Sequence, residues 1–315
     1  MPPEGSNRLL LTSNLPPGDM LMLTATVRDL HLSYPGQFRV CVSCSCPEIF
    51  LHNRDVVSIP RDKARIIPMH YPLYKTYTDS LICSRHFIHG YRVYLEEYLG
   101  LPIKPTEFKG KIVFTRNEKE LYKDLPPFWI INCGWKNDFV VKRWSPERMR
   151  QVVRNFPTMN FIQTGSGKYP NPIIDEPNVV NMVGKTSIRK FLSLMYHASG
   201  VITPVSFPMH ASAAVPMPPE SVRTIRPCIV LGGGRECPTW ETYDGHTFMS
   251  TVGKKECCLN GGCGKARFEK VEDGSPLDRK ICSHQVKEDI IISECMADIT
   301  ADKVSAELEK YLCVQ

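Results

Sequence analysis

The stretch that decides the fold is Asn178–Val215, NVVNMVGKTSIRKFLSLMYHASGVITPVSFPMHASAAV. It begins with a short apolar run, 179–183, which predicts a strand. Thr186 or Ser187 can cap the helix that follows. The apolar residues of that helix recur at spacings of three and four: Ile188, Phe191, Leu192 and Met195.

A second strand, 201–203, ends at Pro204, and the turn Ser206–His210 leads into a helix of small residues, 211–215. Strand, helix, strand and helix in this order predict a parallel α/β sheet. Ligands of such sheets bind beyond the carboxyl ends of the strands. The turn places hydroxyl and imidazole donors at a helix N-terminus, where a phosphate can bind. These residues alone are also compatible with an ordinary strand-to-helix connection.

The amino-terminal part predicts another unit of this kind. A strand at Leu9–Thr12 is followed by a helix that begins at Asp19 and by a strand at 38–42. Asp19 has two interpretations. As a helix N-cap it would contribute about 1 kcal/mol. As a carboxylate beyond the carboxyl end of a strand it faces a cleft and can act as a general base.

The chain length of 315 residues favours two domains. The segment 109–115 is interpreted as a further strand, and the proline-containing segment 124–127 as a linker. We therefore predict a first domain over residues 1–123 and a second over residues 124–315.

Three strand ends of the second domain carry cationic or hydrogen-bonding groups. Lys142 follows one apolar strand, the turn Ser206–His210 follows another, and Arg235 follows the strand 228–231. Gly234, the last of three glycines, allows close approach of backbone to a ligand. Converging cations beside a glycine-rich turn suit a diphosphate. Because the chain has no Asp-x-Asp pair, we expect no catalytic metal, and protein cations would neutralise the leaving group.

Charge and hydropathy indicate which kinds of ligand, membrane contact and partner to expect. The net charge of +6 suits a polyanionic ligand or, at most, peripheral contact with an anionic membrane. The sequence has no apolar run of membrane-spanning length and no signal-peptide pattern, which predicts a cytoplasmic protein. It also lacks a basic stripe with interleaved aromatic residues, so we expect no nucleic-acid partner.

Thirteen cysteines are many for a reducing compartment, and five of them lie between residues 257 and 295. Clustered cysteines there favour a metal over disulfides. Four thiolates from several loops can close a tetrahedral zinc or iron site, and reduced thiols without a metal are the alternative. The predicted ligands are Cys258, Cys263, Cys282 and Cys295, with Cys257 as the alternative to Cys258.

Several motifs, in this order along nearly the whole chain, resemble glycosyltransferase family 9, the ADP-heptose heptosyltransferase-like enzymes. They are Pro17-Gly18-Asp19, Lys142-Arg143-Trp144-Ser145, Val183-Gly184-Lys185-Thr186-Ser187 and Pro208-Met209-His210-Ala211. The segment Gly233–Glu236, the motif Trp240-Glu241-x-Tyr243 and the cysteine cluster resemble the branch with the bacterial autotransporter heptosyltransferases. The resemblance implies a GT-B fold, in which two Rossmann-like domains face each other across a cleft, with a C-terminal cysteine-rich metal-binding insertion.

The same resemblance implies an inverting glycosyltransferase. It would move a sugar, typically a heptose, from an ADP-sugar to a hydroxyl of a glycan, a lipopolysaccharide core or a protein. Asp19 matches the general base, Lys142 the lysine that holds the diphosphate, and Arg235 the arginine near the donor phosphates. The cysteine cluster matches an iron-binding finger, which implies structural iron or zinc.

The chain departs from the family in one turn. Where the family has an aspartate before Met-His, this chain has Val205-Ser206-Phe207. We expect Ser206, Met209 and His210 to contact the donor instead. Trp240 is expected to stack on adenine or sugar, with core packing as the alternative. The alternative function is a non-catalytic, metal-stabilised nucleotide- or glycan-binding protein on the same fold.

Overall fold

A computed structural model describes residues 7–69 and 86–312 and has a parallel sheet near its amino-terminal end. The strand order of this sheet is β2-β1-β3. Its strands are β1 at Arg8–Ser13, β2 at Arg39–Cys44 and β3 at Arg65–Pro68. Helix α1, Pro17–Ser33, connects β1 to β2, which confirms the predicted β-α-β unit. Helices α2, Ile88–Leu99, and α3, Arg116–Glu120, follow.

A second parallel sheet of six strands has the order β6-β5-β4-β7-β8-β9. Its strands are β4 at Phe128–Asn132, β5 at Asn160–Thr164, β6 at Val179–Asn181, β7 at Gly200–Pro204, β8 at Cys228–Gly233 and β9 at His246–Ser250. Every residue of β4, β7 and β8 is buried, as expected for central strands covered on both faces. The strands predicted at 201–203 and 228–231 are confirmed.

The order of this sheet creates a crevice at the strand ends. From β4 the chain moves outward to β5 and β6 and then crosses to β7 on the other side of β4. Such a reversal opens a crevice at the carboxyl ends of the two central strands, where α/β proteins bind their ligands. The loops that carry Lys142 and Ser206 leave the sheet at these ends of β4 and β7.

Helices flank this sheet. Helix α4 is Pro146–Asn155, α5 is Ile188–His197 and α6 is Phe207–Ala214. The Ser187 hydroxyl accepts a hydrogen bond from the Lys190 N–H, so Ser187 is the cap of α5. Helix α6 begins four residues earlier than the predicted 211. The remaining elements are α7 at Pro238–Glu241, β10 at Gln285–Lys287, β11 at Ile291–Ser293, α8 at Glu294–Ala297 and α9 at Ala301–Leu312.

The two sheets are joined through packed helices. Helix α1 packs against α2 and against α6, and Leu23 of α1 and Met209 of α6 are fully buried in one common hydrophobic core. A bidentate ion pair adds a polar contact: Arg189 of α5 holds Glu118 of α3 at 2.7 and 2.8 Å. The first sheet and its helices, the N-terminal lobe, thus pack directly on the second sheet and its helices, the C-terminal lobe.

The predicted strand at 109–115 is wrong. This segment crosses the lobe interface, and side chains rather than a neighbouring strand satisfy its backbone. Thr24 accepts a hydrogen bond from the Lys111 N–H at 2.7 Å. Arg28 donates to the Lys109 carbonyl at 2.8 Å, and Arg189 donates to the Val113 carbonyl at 2.7 Å. The apolar pattern of the segment reflects burial between helices.

In the part of the chain that the structure describes, none of the helices has the length and apolar character needed to cross a membrane.

One buried arginine ties together the ends of the two helices that flank β7. Arg226 is 2% exposed and donates hydrogen bonds to the carbonyls of Tyr196 and Ala198, at the end of α5, and of Val215, just after α6. These carbonyls have no partner within their helices, so the guanidinium supplies donors that the fold needs. Burial lowers the pKa of Arg226 to about 9.

We predict that Arg226→Met destabilises the protein by about 3–5 kcal/mol, because several buried carbonyls lose their donor at once. Urea unfolding followed by circular dichroism measures the loss. Arg154→Met is the control, because Arg154 is 56% exposed and its ion pairs contribute at most about 1 kcal/mol. A loss for Arg226→Met no larger than that of the control would contradict the structural role.

Candidate active site

The loops that follow β4, β7 and β8 meet at one buried cluster of charges. Lys142, in the loop after β4, places its ammonium 2.7 Å from the Glu236 carboxylate. The same ammonium donates to the carbonyl of Val205, in the turn before α6, at 3.3 Å. Lys142 thus links two neighbouring strand ends, and its side chain remains 21% exposed.

Arg235 shares this carboxylate. Its guanidinium forms an ion pair with Glu236, donates to the Lys265 carbonyl at 2.7 Å and lies 4.7 Å from the centre of the Phe139 ring. Burial alone would raise the pKa of Glu236, but Lys142 and Arg235 lower it below its usual value. The two cations predicted for a diphosphate site are therefore brought together, around a carboxylate.

The glycines before Arg235 allow the cysteine-containing segment, residues 253–296, to pack closely against the end of β8. A Cβ on Gly233 would lie 2.7 Å from the Met296 sulfur, and one on Gly234 would lie 3.2 Å from the Cys258 sulfur. Gly233 also has a positive φ of 60°, which disfavours a larger residue. Gly234 therefore has a packing role, whatever its contact with a ligand.

His210 lies in a second buried polar group beside the first. Its Nδ1 is 2.9 Å from the Tyr243 hydroxyl, and its Nε2 is 3.2 Å from a Glu241 carboxylate oxygen. Burial raises the pKa of Glu241, and the interaction with His210 offsets part of that rise. His210 is 7% exposed, so a bound ligand could contact its ring only at one edge.

Ser206 and Met209 take up positions that the sequence did not predict. Ser206 is the residue before α6, but its hydroxyl bonds to Thr203 at 2.9 Å and to the Pro204 carbonyl at 3.0 Å instead of capping the helix. The Met209 side chain is fully buried in the hydrophobic core. Its N–H donates to the Ser206 carbonyl at 3.0 Å.

Asp19 lies in the first turn of α1, at the surface between the lobes. The N-cap of α1 is Pro16, so the N-cap interpretation of Asp19 is wrong. The neighbouring Gly18 touches the C-terminal lobe: a Cβ there would lie 2.6 Å from the imidazole ring of His210. Burial, followed by the charges of Glu241 and Asp19, raises the pKa of Tyr243.

Trp240 packs between the lobes. It is 3% exposed and stacks on Phe87 of the N-terminal lobe, with 5.7 Å between ring centres and an interplanar angle of 19°. The Phe87 N–H also donates to the Trp240 carbonyl at 2.9 Å.

The cysteine cluster is not assembled as predicted. Within residues 7–69 and 86–312, no three His, Cys, Asp or Glu side chains form a group that could hold a metal ion. Cys258 is buried and its thiol donates to the carbonyls of Thr251 and Lys255, because the turn 256–258 directs it towards Gly234. The Cys257 thiol interacts with Cys263, and burial, followed by the neighbouring thiols of Cys263 and Cys258, raises its pKa to about 11.

The sequence predictions assigned no role to Glu236 or Glu241. Glu236 and Glu241 are 3% and 5% exposed. A physical signal for them exists: cations at the ends of buried strands need counter-charges nearby. The acids that flank Arg235 and Trp240 in the sequence are suitable partners.

Comparison with known proteins tests the fold. No protein-family model and no curated protein sequence matches the chain. Among solved structures, the glycosyltransferase family 9 protein from Veillonella parvula matches over 98% of both chains, with a TM-score of 0.67 and 15% identity. Escherichia coli ADP-heptose lipopolysaccharide heptosyltransferase II matches over 97% of this chain and 98% of its own, with a TM-score of 0.57 and 15% identity.

A third structure is TibC from enterotoxigenic E. coli, a dodecameric iron-containing heptosyltransferase in complex with ADP-D-β-D-heptose. It covers 98% of this chain and 76% of its own, with a TM-score of 0.57 and 13% identity. The resemblance inferred from the motifs is thus confirmed at the level of the fold. The mixed α/β chain with its parallel sheets has the glycosyltransferase fold of the heptosyltransferases.

We predict that Gly18→Ala destabilises the protein by about 1–3 kcal/mol, because the new methyl group overlaps the His210 ring. Urea unfolding of Gly18→Ala, His210→Ala and the double variant gives the coupling energy. Gly18→Ala should cost less in the His210→Ala background, where the ring is absent. Equal costs in both backgrounds would contradict direct contact between the lobes at this point.

Proposed function

We propose that this chain is an inverting glycosyltransferase of family 9 that transfers a heptose from ADP-heptose to a hydroxyl acceptor. The observation that carries the proposal is a juxtaposition within a heptosyltransferase fold. The helix that bears Asp19 packs on the C-terminal lobe beside His210, next to the site where Lys142 and Arg235 converge. The fold supports the reaction class, and the site residues support the mechanism.

In the proposed reaction, the acceptor hydroxyl attacks the anomeric carbon from the side opposite the diphosphate. The new bond joins the acceptor oxygen to that carbon, the bond from the carbon to the phosphate oxygen breaks, and Asp19 receives the hydroxyl proton. Lys142 and Arg235 stabilise the growing charge of the ADP leaving group, an effect typically of a few kcal/mol. A single displacement needs one carboxylate, unlike retaining glycosidases, which need two.

The donor site that we propose lies at the carboxyl ends of β4, β7 and β8. Ser206, Met209 and His210 would contribute through the first turn of α6, and Gly234 through its backbone. Trp240 would stabilise the site indirectly, by stacking on Phe87 of the N-terminal lobe. The acceptor is a glycan, a lipopolysaccharide core or a protein, bound by the N-terminal lobe. We propose that the enzyme acts in the cytoplasm, with at most peripheral contact with a membrane.

We predict that Asp19→Asn lowers turnover by about 10²–10⁴-fold, the typical contribution of a general base, and leaves ADP binding unchanged. Release of the nucleoside diphosphate (ADP, UDP or GDP) is measured for a panel of ADP-, UDP- and GDP-sugars with candidate acceptors. ADP binding is measured by calorimetry. The control is Asp62→Asn, an exposed acid of the same lobe. Wild-type-like turnover by Asp19→Asn would exclude it as the base. Binding of ADP without turnover by the wild type would support the non-catalytic alternative.

We also propose a structural iron or zinc ion, held by Cys257, Cys263, Cys282 and Cys295. The described side chains do not form a ready metal site, but these thiols neighbour one another. The free thiols of Cys257 and Cys263 interact with each other, and the thiol of Cys282 lies near Cys295 and Cys257. Four thiolates are a suitable ligand set for either metal, and the ion would pin the loops 253–295 over the donor site.

We predict that the protein contains about one equivalent of iron or zinc per chain and that Cys257→Ser loses most of it, because a four-thiolate site loses a ligand. Cys258→Ser should retain the metal, because the Cys258 thiol is hydrogen-bonded to the Lys255 carbonyl. Elemental analysis by mass spectrometry measures both. Metal lost from Cys258→Ser and kept by Cys257→Ser would reverse the assignment, and wild-type protein without metal would refute the site.

A further inference from the structure

The carboxylate at the centre of the charge cluster has no role in the reaction described above. Glu236 is 3% exposed, and one of its oxygens, Oε1, interacts with both Lys142 and Arg235. In the described part of the chain, its other oxygen, Oε2, is buried and has no hydrogen-bond donor. A buried carboxylate in this state requires an explanation, because its desolvation costs several kcal/mol.

The position of Glu236 is fixed from several sides. The cysteine-containing segment covers its backbone: a Cβ on Gly262 would lie 2.9 Å from the Glu236 Cα. The N–H groups of Cys263 and Gly264 donate to the carbonyls of Gly234 and Arg235 at 3.1 Å. Glu236 is therefore held firmly at the end of β8, from where it can position groups on other loops.

Lys142 depends on Glu236 for its charge. The charged groups around its ammonium are Glu236 and Arg235, from the loop after β8, and Glu241, from α7; the other neighbours are Val205 and Phe139. Burial lowers the pKa of Lys142 and Arg235 lowers it further, while Glu236 and Glu241 raise it. The carboxylate at 2.7 Å is the counter-charge in direct contact with the ammonium.

We propose that Glu236 is a positioning residue of the donor site: its carboxylate holds Lys142 and Arg235 together and keeps the Lys142 ammonium charged, ready to meet a nucleotide diphosphate. This inference rests on the proposed function, which supplies the diphosphate. Under this proposal, the donor site binds an anion only because an acidic residue holds its two cations in place. The acid orients the cations at the ends of β4 and β8, and the diphosphate takes the exposed side of Lys142.

The proposal has a pH-dependent consequence. Without the carboxylate, burial and the Arg235 charge act on Lys142 with less opposition, and its amine loses the proton at lower pH. A nucleotide diphosphate binds the protonated lysine better than the neutral one. The affinity for ADP should therefore fall more steeply with rising pH in a variant that lacks the carboxylate than in the wild type.

The test compares the wild type with Glu236→Gln, which keeps the shape of the side chain and removes its charge. Glu176→Gln is the matched control, because Glu176 also lies between two cations of the C-terminal lobe, Arg154 at 2.8 Å and Arg150 at 3.7 Å. Thermal melting shows whether each variant is folded. Competitive acylation read by mass spectrometry gives the protonation of Lys142 without any ligand, and calorimetry gives the affinity for ADP.

For Glu236→Gln, Lys142 should acylate about tenfold faster than in the wild type near about pH 8, because a larger fraction of its amine is neutral. Between about pH 7 and about pH 9, the affinity of the Glu236→Gln variant for ADP should fall about tenfold more than the affinity of the wild type. Acylation and binding profiles equal to those of the wild type and Glu176→Gln would overturn the proposal.

A second variant keeps the test decisive if Glu236→Gln does not fold. Glu236→Asp retains the charge but withdraws it by one methylene group, so it should weaken ADP binding without adding a pH dependence. Undiminished affinity in Glu236→Asp would overturn the positioning role. If the wild type binds no ADP, the proposed function fails, while the acylation of Lys142 still decides whether Glu236 maintains its charge.

Discussion

Two cations and one carboxylate share a buried site at the ends of β4 and β8, and the arrangement of the C-terminal lobe depends on this balance. Burying an ammonium or a guanidinium alone costs several kcal/mol, so Lys142 and Arg235 need Glu236. Because these residues come from separate loops, satisfying the charges also fixes the loops. The cysteine-containing segment closes over Glu236 and completes the burial that makes the pairing strong.

The N-terminal lobe is positioned relative to this site by packing. Helix α1 lies against α6 with so little space that Gly18 must lack a side chain beside His210. Asp19 follows Gly18 in the same turn, so the contact that joins the lobes also sets the place of the proposed base. The stack of Phe87 on Trp240 and the Arg189–Glu118 ion pair reinforce the same orientation. In this molecule, the lobe interface and the proposed reaction site are built from neighbouring residues.

Much of the fold could be predicted from the sequence because strand and helix periodicity is a local property. The strands around Asn178–Val215, the cap at Ser187 and the opening β-α-β unit follow from that periodicity. The segment 109–115 could not be assigned in this way. Ile112 is buried, and the neighbouring apolar residues 113 and 114 are half-buried. The backbone of the segment is hydrogen-bonded to Thr24, Arg28 and Arg189, which lie far away in the sequence.

Part of the candidate active site could also be predicted from the sequence. Residues placed by strand ends, such as Lys142 and Arg235, do converge, because parallel strands end at the same edge of a sheet. Which groups surround them depends on tertiary contacts that the sequence does not display. The hydrogen bond from the Cys258 thiol to a backbone carbonyl, and the inward turn of the Ser206 hydroxyl, depend on single turns of backbone. The catalytic role of Asp19 stays a prediction.

A crystal structure of the wild-type chain with ADP would locate the diphosphate relative to both lobes. We expect phosphate oxygens within hydrogen-bonding distance of Lys142, at the carboxyl ends of β4, β7 and β8, with the Asp19 carboxylate facing the terminal phosphate across the lobe interface. ADP bound elsewhere, or an Asp19 carboxylate directed away from it, would contradict the proposed donor site and the proposed base.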